Sequence, residues 1–155
     1  MKKILLPLLF LFVCLFKAWT QVEEMPNEPL KNAVHIELGG AAGYYSVNYE
    51  HRILIQPQHR IAAGVGFSYF NILGTVTIGL LSAAYLYGEK HNFELGTSLG
   101  YIFNDEFYFV PRIGYRYETS ARFLFRAGFS PLFFPKDYNK NIIVPRGYVS
   151  VGYIF

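Results

Sequence analysis

Cysteine occurs once in the 155 residues, at Cys14, inside an apolar stretch close to the N-terminus. Beyond that stretch there is none, so no disulfide can brace the fold even in an oxidising compartment. Phe12 and Val13 precede Cys14 where a lipoprotein signal carries small residues, so Cys14 reads as part of the apolar stretch rather than a lipid-attachment site. Long apolar runs are missing too. The apolar stretch, residues 4–16, is broken only by Pro7 and is short for a helix crossing about 30 Å of hydrocarbon. With Lys2 and Lys3 before it and the small residues Ala18 and Thr20 after it, residues 1–20 have the layout of a secretory signal cleaved before Gln21. An uncleaved N-terminal anchor is the competing reading. Net charge is the third absence. Losing Lys2, Lys3 and Lys17 lowers the 14 basic residues to 11, which balance the 11 acidic ones. The basic character of the full chain therefore says nothing about nucleic acid.

What is abundant is Phe (15), Tyr (13) and Gly (14). Residues 21–33 are polar with two prolines and read as a leader into the first strand. No linker, low-complexity tract or charge block divides residues 34–155, which fit one domain. Eight segments follow, at 34–40, 44–53, 60–70, 75–87, 91–103, 107–118, 121–130 and 146–155, separated by turn residues. Most alternate with period two, as strands with two unlike faces do. In the third, Ile61, Ala63, Val65, Phe67 and Tyr69 oppose Arg60, Ala62, Gly64, Gly66 and Ser68. In the fifth, Phe93, Leu95, Leu99 and Tyr101 oppose Asn92, Glu94, Gly96, Ser98 and Gly100. The fourth is the least regular. Val76, Ile78 and Leu80 share one face against Thr75, Thr77 and Gly79, then the alternation blurs, and a buried helix competes there.

Alternation alone does not say which face is wet. A soluble sandwich buries its apolar face, whereas a membrane barrel turns that face to lipid and keeps polar or small residues inside. Three features favour lipid. The apolar face is bulky and aromatic in nearly every segment. The other face is rich in Gly, Ser and Ala, as a narrow interior requires. Most segments are close to the roughly 9–11 residues of a tilted crossing. By parity the inner face holds Glu37, Glu50, Glu94 and Glu118 with Arg52, Arg60, Arg112, Arg116, Arg122, Arg126 and Arg146, while Lys90, Lys136 and Lys140 sit in connections. Arginine's planar fork suits buried bidentate pairing with carboxylates better than an ammonium does. Such pairs would plug a small barrel. With more Arg than Glu, some guanidinium groups must also reach water, headgroups, carbonyls or Tyr hydroxyls.

Open edges cannot persist in hydrocarbon, and eight is an even count and the smallest usual barrel. The expected fold is thus all-β, an eight-stranded antiparallel transmembrane β-barrel over residues 34–155. With both termini periplasmic, outer connections fall near 41–43, 71–74, 104–106 and 131–145, and periplasmic ones near 54–59, 88–90 and 119–120. Only the last outer connection is long enough to shape a surface.

The segment YVSVGYIF, with Val151, Tyr153 and Phe155 on one face, resembles the C-terminal signal read by the outer-membrane barrel assembly machinery. IELGGAAGYYSVNYEHRI, KHNFELGTSLGYIF, PRIGYRY and FLFRAGFSPLF resemble the small outer-membrane β-barrel proteins of the Bacteroidetes group, within the broader OmpA- or OmpX-like eight-stranded architecture. This resemblance implies a bacterial outer-membrane location, partners among outer-membrane lipids and lipopolysaccharide, assembly through the C-terminal strand, and no cofactor or metal. It assigns no activity. A non-enzymatic structural or surface-presenting barrel is the leading expectation. The alternatives are an outer-leaflet lipid-modifying enzyme resembling lipid A deacylase and a narrow pore. The enzyme would need a serine beside a histidine base and an orienting carboxylate. His51 stands outward beside Glu50 and Arg52, yet no serine lies at that family's spacing; His59 and His91 fall in turns. His35 and Glu37 share a face but are too few for a metal. Arg112, Arg116, Arg122 and Arg126 as an anion-selective lining compete with internal ion-pair scaffolding.

Overall fold

The computed structural model describes residues 31–71, 75–103, 106–134 and 142–155. The signal at 1–20, nearly all of the leader, and the centres of three outer connections lie outside the described residues. Among the described residues there are ten strands: β1 (Asn32–Gly39), β2 (Tyr45–Gln56), β3 (His59–Asn71), β4 (Thr75–Gly88), β5 (His91–Ile102), β6 (Phe107–Glu118), β7 (Phe123–Phe129), β8 (Leu132–Phe134), β9 (Ile142–Val144) and β10 (Gly147–Ile154). Strand β1 takes in Asn32 and Ala33, which the sequence places in the leader.

Each strand from β1 to β7 pairs antiparallel with its neighbour in the chain, β7 pairs with β10, and β10 returns to β1. The wall is therefore a closed eight-stranded antiparallel barrel, as the alternation predicts. Strands β8 and β9 are not extra staves. Phe133 pairs with Phe109 on β6, so β8 continues the line of β7 past Pro131; β9 continues β10 past Pro145. Proline lacks the N–H a ladder needs, which explains the two interruptions at one level. The Ser130 N–H donates to the Arg146 carbonyl at 2.7 Å and ties the broken staves together. The connection expected over 131–145 is thus partly a raised hairpin.

The start of β1 and the end of the chain meet at the other end of the barrel, where Asn32 and Phe155 exchange backbone hydrogen bonds of 2.9 and 2.8 Å. Turns there are short: β2 and β3 are separated only by residues 57–58, and β4 and β5 only by 89–90. At the opposite end a 3-10 turn, Gly40–Ala42, folds inward and is buried. Gly39, Gly40 and Gly43 take φ of 75°, 62° and 88°, values that side chains disfavour.

The two faces differ as the composition predicts. Val34, Ile36, Leu38, Val65, Phe67, Leu95, Phe125 and Val151 point outward and are exposed, whereas Glu37, Glu50, Glu94, Arg116 and Arg126 are buried in the lumen. The charged face is inside and the bulky apolar face outside, the opposite of a soluble sandwich.

Strand β4 corrects one assignment. Ile78 and Leu80 face the lumen, not lipid, and Leu81, Tyr85 and Tyr87 face outward. The reason is a local apolar layer. Ile78 and Leu80 pack with Ala41, Ala42, Tyr108, Val110 and Leu132 beneath the inward turn, so both faces of β4 are apolar there and period two disappears. A smaller apolar cluster of Ala33, Leu124 and Ile154 sits by the chain ends. Between the two lies the polar part of the lumen.

Candidate functional site: the charged lumen

Period two sends alternate residues of β1, β2, β3, β5, β6 and β7 inward, and these carry the charges. Arg116 on β6 is at their centre, with 0% of its surface exposed. Its two terminal nitrogens donate to the two carboxylate oxygens of Glu50 on β2, one at 2.9 Å, and its Nε donates to Glu94 on β5 at 3.1 Å. This is the bidentate geometry that favours arginine over lysine. Arg126 on β7 grips the same Glu94, with Nε at 3.1 Å and a terminal nitrogen on the other oxygen. Glu94 thus bridges two guanidinium groups from adjacent strands.

The network runs on in both directions. Toward the 3-10 turn, Arg112 donates to Glu37 and approaches Glu94 at 3.7 Å. Its guanidinium lies over the Tyr148 ring, 4.4 Å from the centroid. Toward the chain ends, Glu118 accepts from Arg52 at 2.9 Å and from Arg60 at 2.8 Å. Arg60 also donates to the Asn92 side chain and, at 2.9 Å, to the Glu89 carbonyl, so it holds the turn at 89–90. Gly114 leaves room for this packing, because a Cβ there would stand 2.2 Å from the Tyr148 hydroxyl.

Nine of the eleven charged residues assigned inward by parity meet in these pairs: Glu37, Glu50, Arg52, Arg60, Glu94, Arg112, Arg116, Glu118 and Arg126. Two stand elsewhere. Arg122 lies in the turn between β6 and β7 with φ of 67°, half-buried, because the strand starts only at Phe123. Arg146 lies at the Pro145 break between β9 and β10, half-buried, near Gly43. An anion lining of Arg112, Arg116, Arg122 and Arg126, the alternative to ion-pair scaffolding, therefore has no common surface: three of them are in carboxylate pairs and the fourth is in a turn.

One member of the site escaped sequence reasoning. His35 is buried, and its Nε2 accepts from Arg126 at 2.6 Å. The signal was its shared parity with Glu37, which identifies the face but not the partner. The remaining histidines point outward: His51 Nδ1 lies 2.9 Å from the Asn32 side-chain oxygen, and His59 and His91 hydrogen-bond Tyr85 and Tyr115. Ser46, Ser68, Ser98, Ser130 and Ser150 are buried within the wall. These five serines and the outward histidines thus stand on different sides of the wall, whereas Ser120 is exposed in the turn between β6 and β7. Among the described residues no group of three or more His, Cys, Asp or Glu side chains could hold a metal. Among them, too, no helix is long and apolar enough to cross a membrane, which leaves crossing by strands untouched.

No family model and no curated protein matches the sequence. Solved structures are similar in fold. One described as "De novo design of transmembrane beta-barrels" aligns over 84% of this chain and 100% of its own, with a TM-score of 0.54 and 11% identity. The Yersinia pestis outer membrane protein Ail in a phospholipid bilayer nanodisc aligns over 82% of this chain and 100% of its own, with a TM-score of 0.49 and 12% identity. At such identity the designed barrel speaks to the fold alone. The class that the topology defines is a small closed β-barrel of the transmembrane kind.

Proposed function

We propose that this protein is a non-enzymatic barrel of a bacterial outer membrane, a sealed structural wall that also presents a small surface at its β8–β9 hairpin. The observation that carries the reading is the lumen. Arg116 is wholly buried between Glu50 and Glu94, with the apolar layer of Ile78, Leu80, Tyr108 and Leu132 above it. Ion pairs and an apolar layer filling the lumen favour a wall over a pore.

The belt of outward apolar side chains favours a bilayer, since a monomer in water rarely exposes so large an apolar surface. The outer membrane is favoured by the secretory layout of residues 1–20 and by the C-terminal face of Val151, Tyr153 and Phe155. Its partners would be outer-membrane lipids, lipopolysaccharide and the assembly machinery, and its kin the Bacteroidetes barrels that its motifs resemble.

Two measurements test this. Folded protein should fractionate with outer membranes and migrate differently on gels before and after heating; a soluble periplasmic species with ordinary mobility would refute the location. Reconstituted into planar bilayers it should give no ion conductance, and steady channel steps would establish the narrow pore instead.

A further inference from the structure

Outside the lumen, one side-chain arrangement occurs twice. On β3 and β4, His59 lies directly across from Tyr87, its ring 5.1 Å from that of Tyr87, and hydrogen-bonds the Tyr85 hydroxyl. On β5 and β6, His91 lies directly across from Tyr117, its ring 4.8 Å away, and hydrogen-bonds the Tyr115 hydroxyl. Both units face outward at the end of the barrel where Asn32 and Phe155 pair. They cover four successive strands, so the histidines stand two strand spacings apart, about 10 Å. The ion-pair network uses none of these six residues.

The chemistry of a shared proton gives the pair a fixed capacity. If the tyrosine hydroxyl donates to His Nδ1, the ring carries its proton on Nε2, and that N–H is free. If Nδ1–H donates to the tyrosine oxygen, the hydroxyl proton is free. Either way each unit keeps one donor for an outside acceptor, set at the edge of an apolar wall. The second tyrosine ring holds the imidazole in place. A donor at the level where hydrocarbon ends meets lipid headgroups, whose strongest acceptors are phosphate oxygens. Lys90, exposed beside His91, adds positive charge, although Glu89 partly offsets it.

We infer that the His59–Tyr85 and His91–Tyr115 pairs form a binding site for the phosphate of phosphoglycerolipids in the leaflet at the terminal end of the barrel. This rests on the membrane reading above, and the test separates the two. Mature protein in detergent micelles is given phosphatidylglycerol or the diacylglycerol of the same chains, and retained lipid is counted by native mass spectrometry. Wild type should retain phosphatidylglycerol in preference to diacylglycerol, and millimolar inorganic phosphate should not displace it. The variants H59F/Y85F and H91F/Y115F keep ring bulk on the lipid-facing wall but remove the donors. Each should weaken retention by about tenfold, the usual effect of losing a hydrogen bond to a charged group. Y45F/Y69F, at the opposite rim, should retain lipid as wild type does. Heat-modifiable mobility checks each protein first. Folded variants that hold phosphatidylglycerol as well as wild type, or a wild type that holds diacylglycerol equally, would overturn the inference. Displacement by inorganic phosphate would overturn it in favour of a soluble-anion site. A wild type without the folded mobility shift would instead refute the membrane reading, and the inference with it.

Discussion

Arg116 is where the charge balance of the lumen is decided. It holds two carboxylates at once, Glu50 and Glu94, and none of the three reaches the surface. Removing the guanidinium leaves buried carboxylates short of a counter-charge, which generally costs about 3–5 kcal/mol. R116M should therefore destabilise the folded barrel by that order in urea unfolding from lipid vesicles. E50Q added to R116M should recover part of the loss, because one uncompensated charge is gone. Additive losses in the double variant would show that the pair does not couple. The faces of these residues were legible from parity, since period two is local. Their partners were not. Arg116 and Glu50 are 66 residues apart, and their meeting depends on barrel closure, which no local pattern encodes. His35 was hidden for the same reason.

At the scale of elements, seven of the eight wall strands have sides readable from alternation, and β4 shows where that fails. Its inner face changes from Ile78 and Leu80 in the apolar layer to Ser82 and Ala84 further down, while Leu81 and Tyr85 remain outside. With apolar residues on both faces, hydropathy has no period to report. The structure makes the two faces separable by substitution. L81R places a guanidinium in lipid near mid-strand and should cost about 2–4 kcal/mol. L81F keeps an apolar ring toward lipid and should change stability by well under that amount. Equal losses from L81R and L81F in vesicle unfolding would contradict the outward placement. The breaks between β7 and β8 and between β9 and β10 were half legible. The segments ending at 130 and starting at 146 bounded the connection, but that both staves resume beyond Pro131 and Pro145 rests on Phe109 meeting Phe133 across the ladder.

For the whole molecule, closure is what makes the rest consistent. The β1–β10 and β5–β6 pairings leave the main wall without a free edge, as hydrocarbon requires. An even strand count, with the first strand beginning and the last ending at one end, was readable from eight segments; the inward turn at Gly40–Ala42 was not, because three small residues read equally well as an ordinary hairpin. A charged lumen and an apolar outer wall both follow from one assignment of faces. Spin labels placed singly along β5, in protein reconstituted in vesicles, test that assignment most directly. Labels at Phe93, Leu95 and Leu99 should collide freely with oxygen dissolved in the bilayer and hardly at all with a water-soluble nickel complex, whereas labels at Glu94, Gly96 and Ser98 should be shielded from both. Strong collisions of the Phe93, Leu95 and Leu99 labels with the nickel complex would contradict the outward face of this barrel being the one that meets lipid.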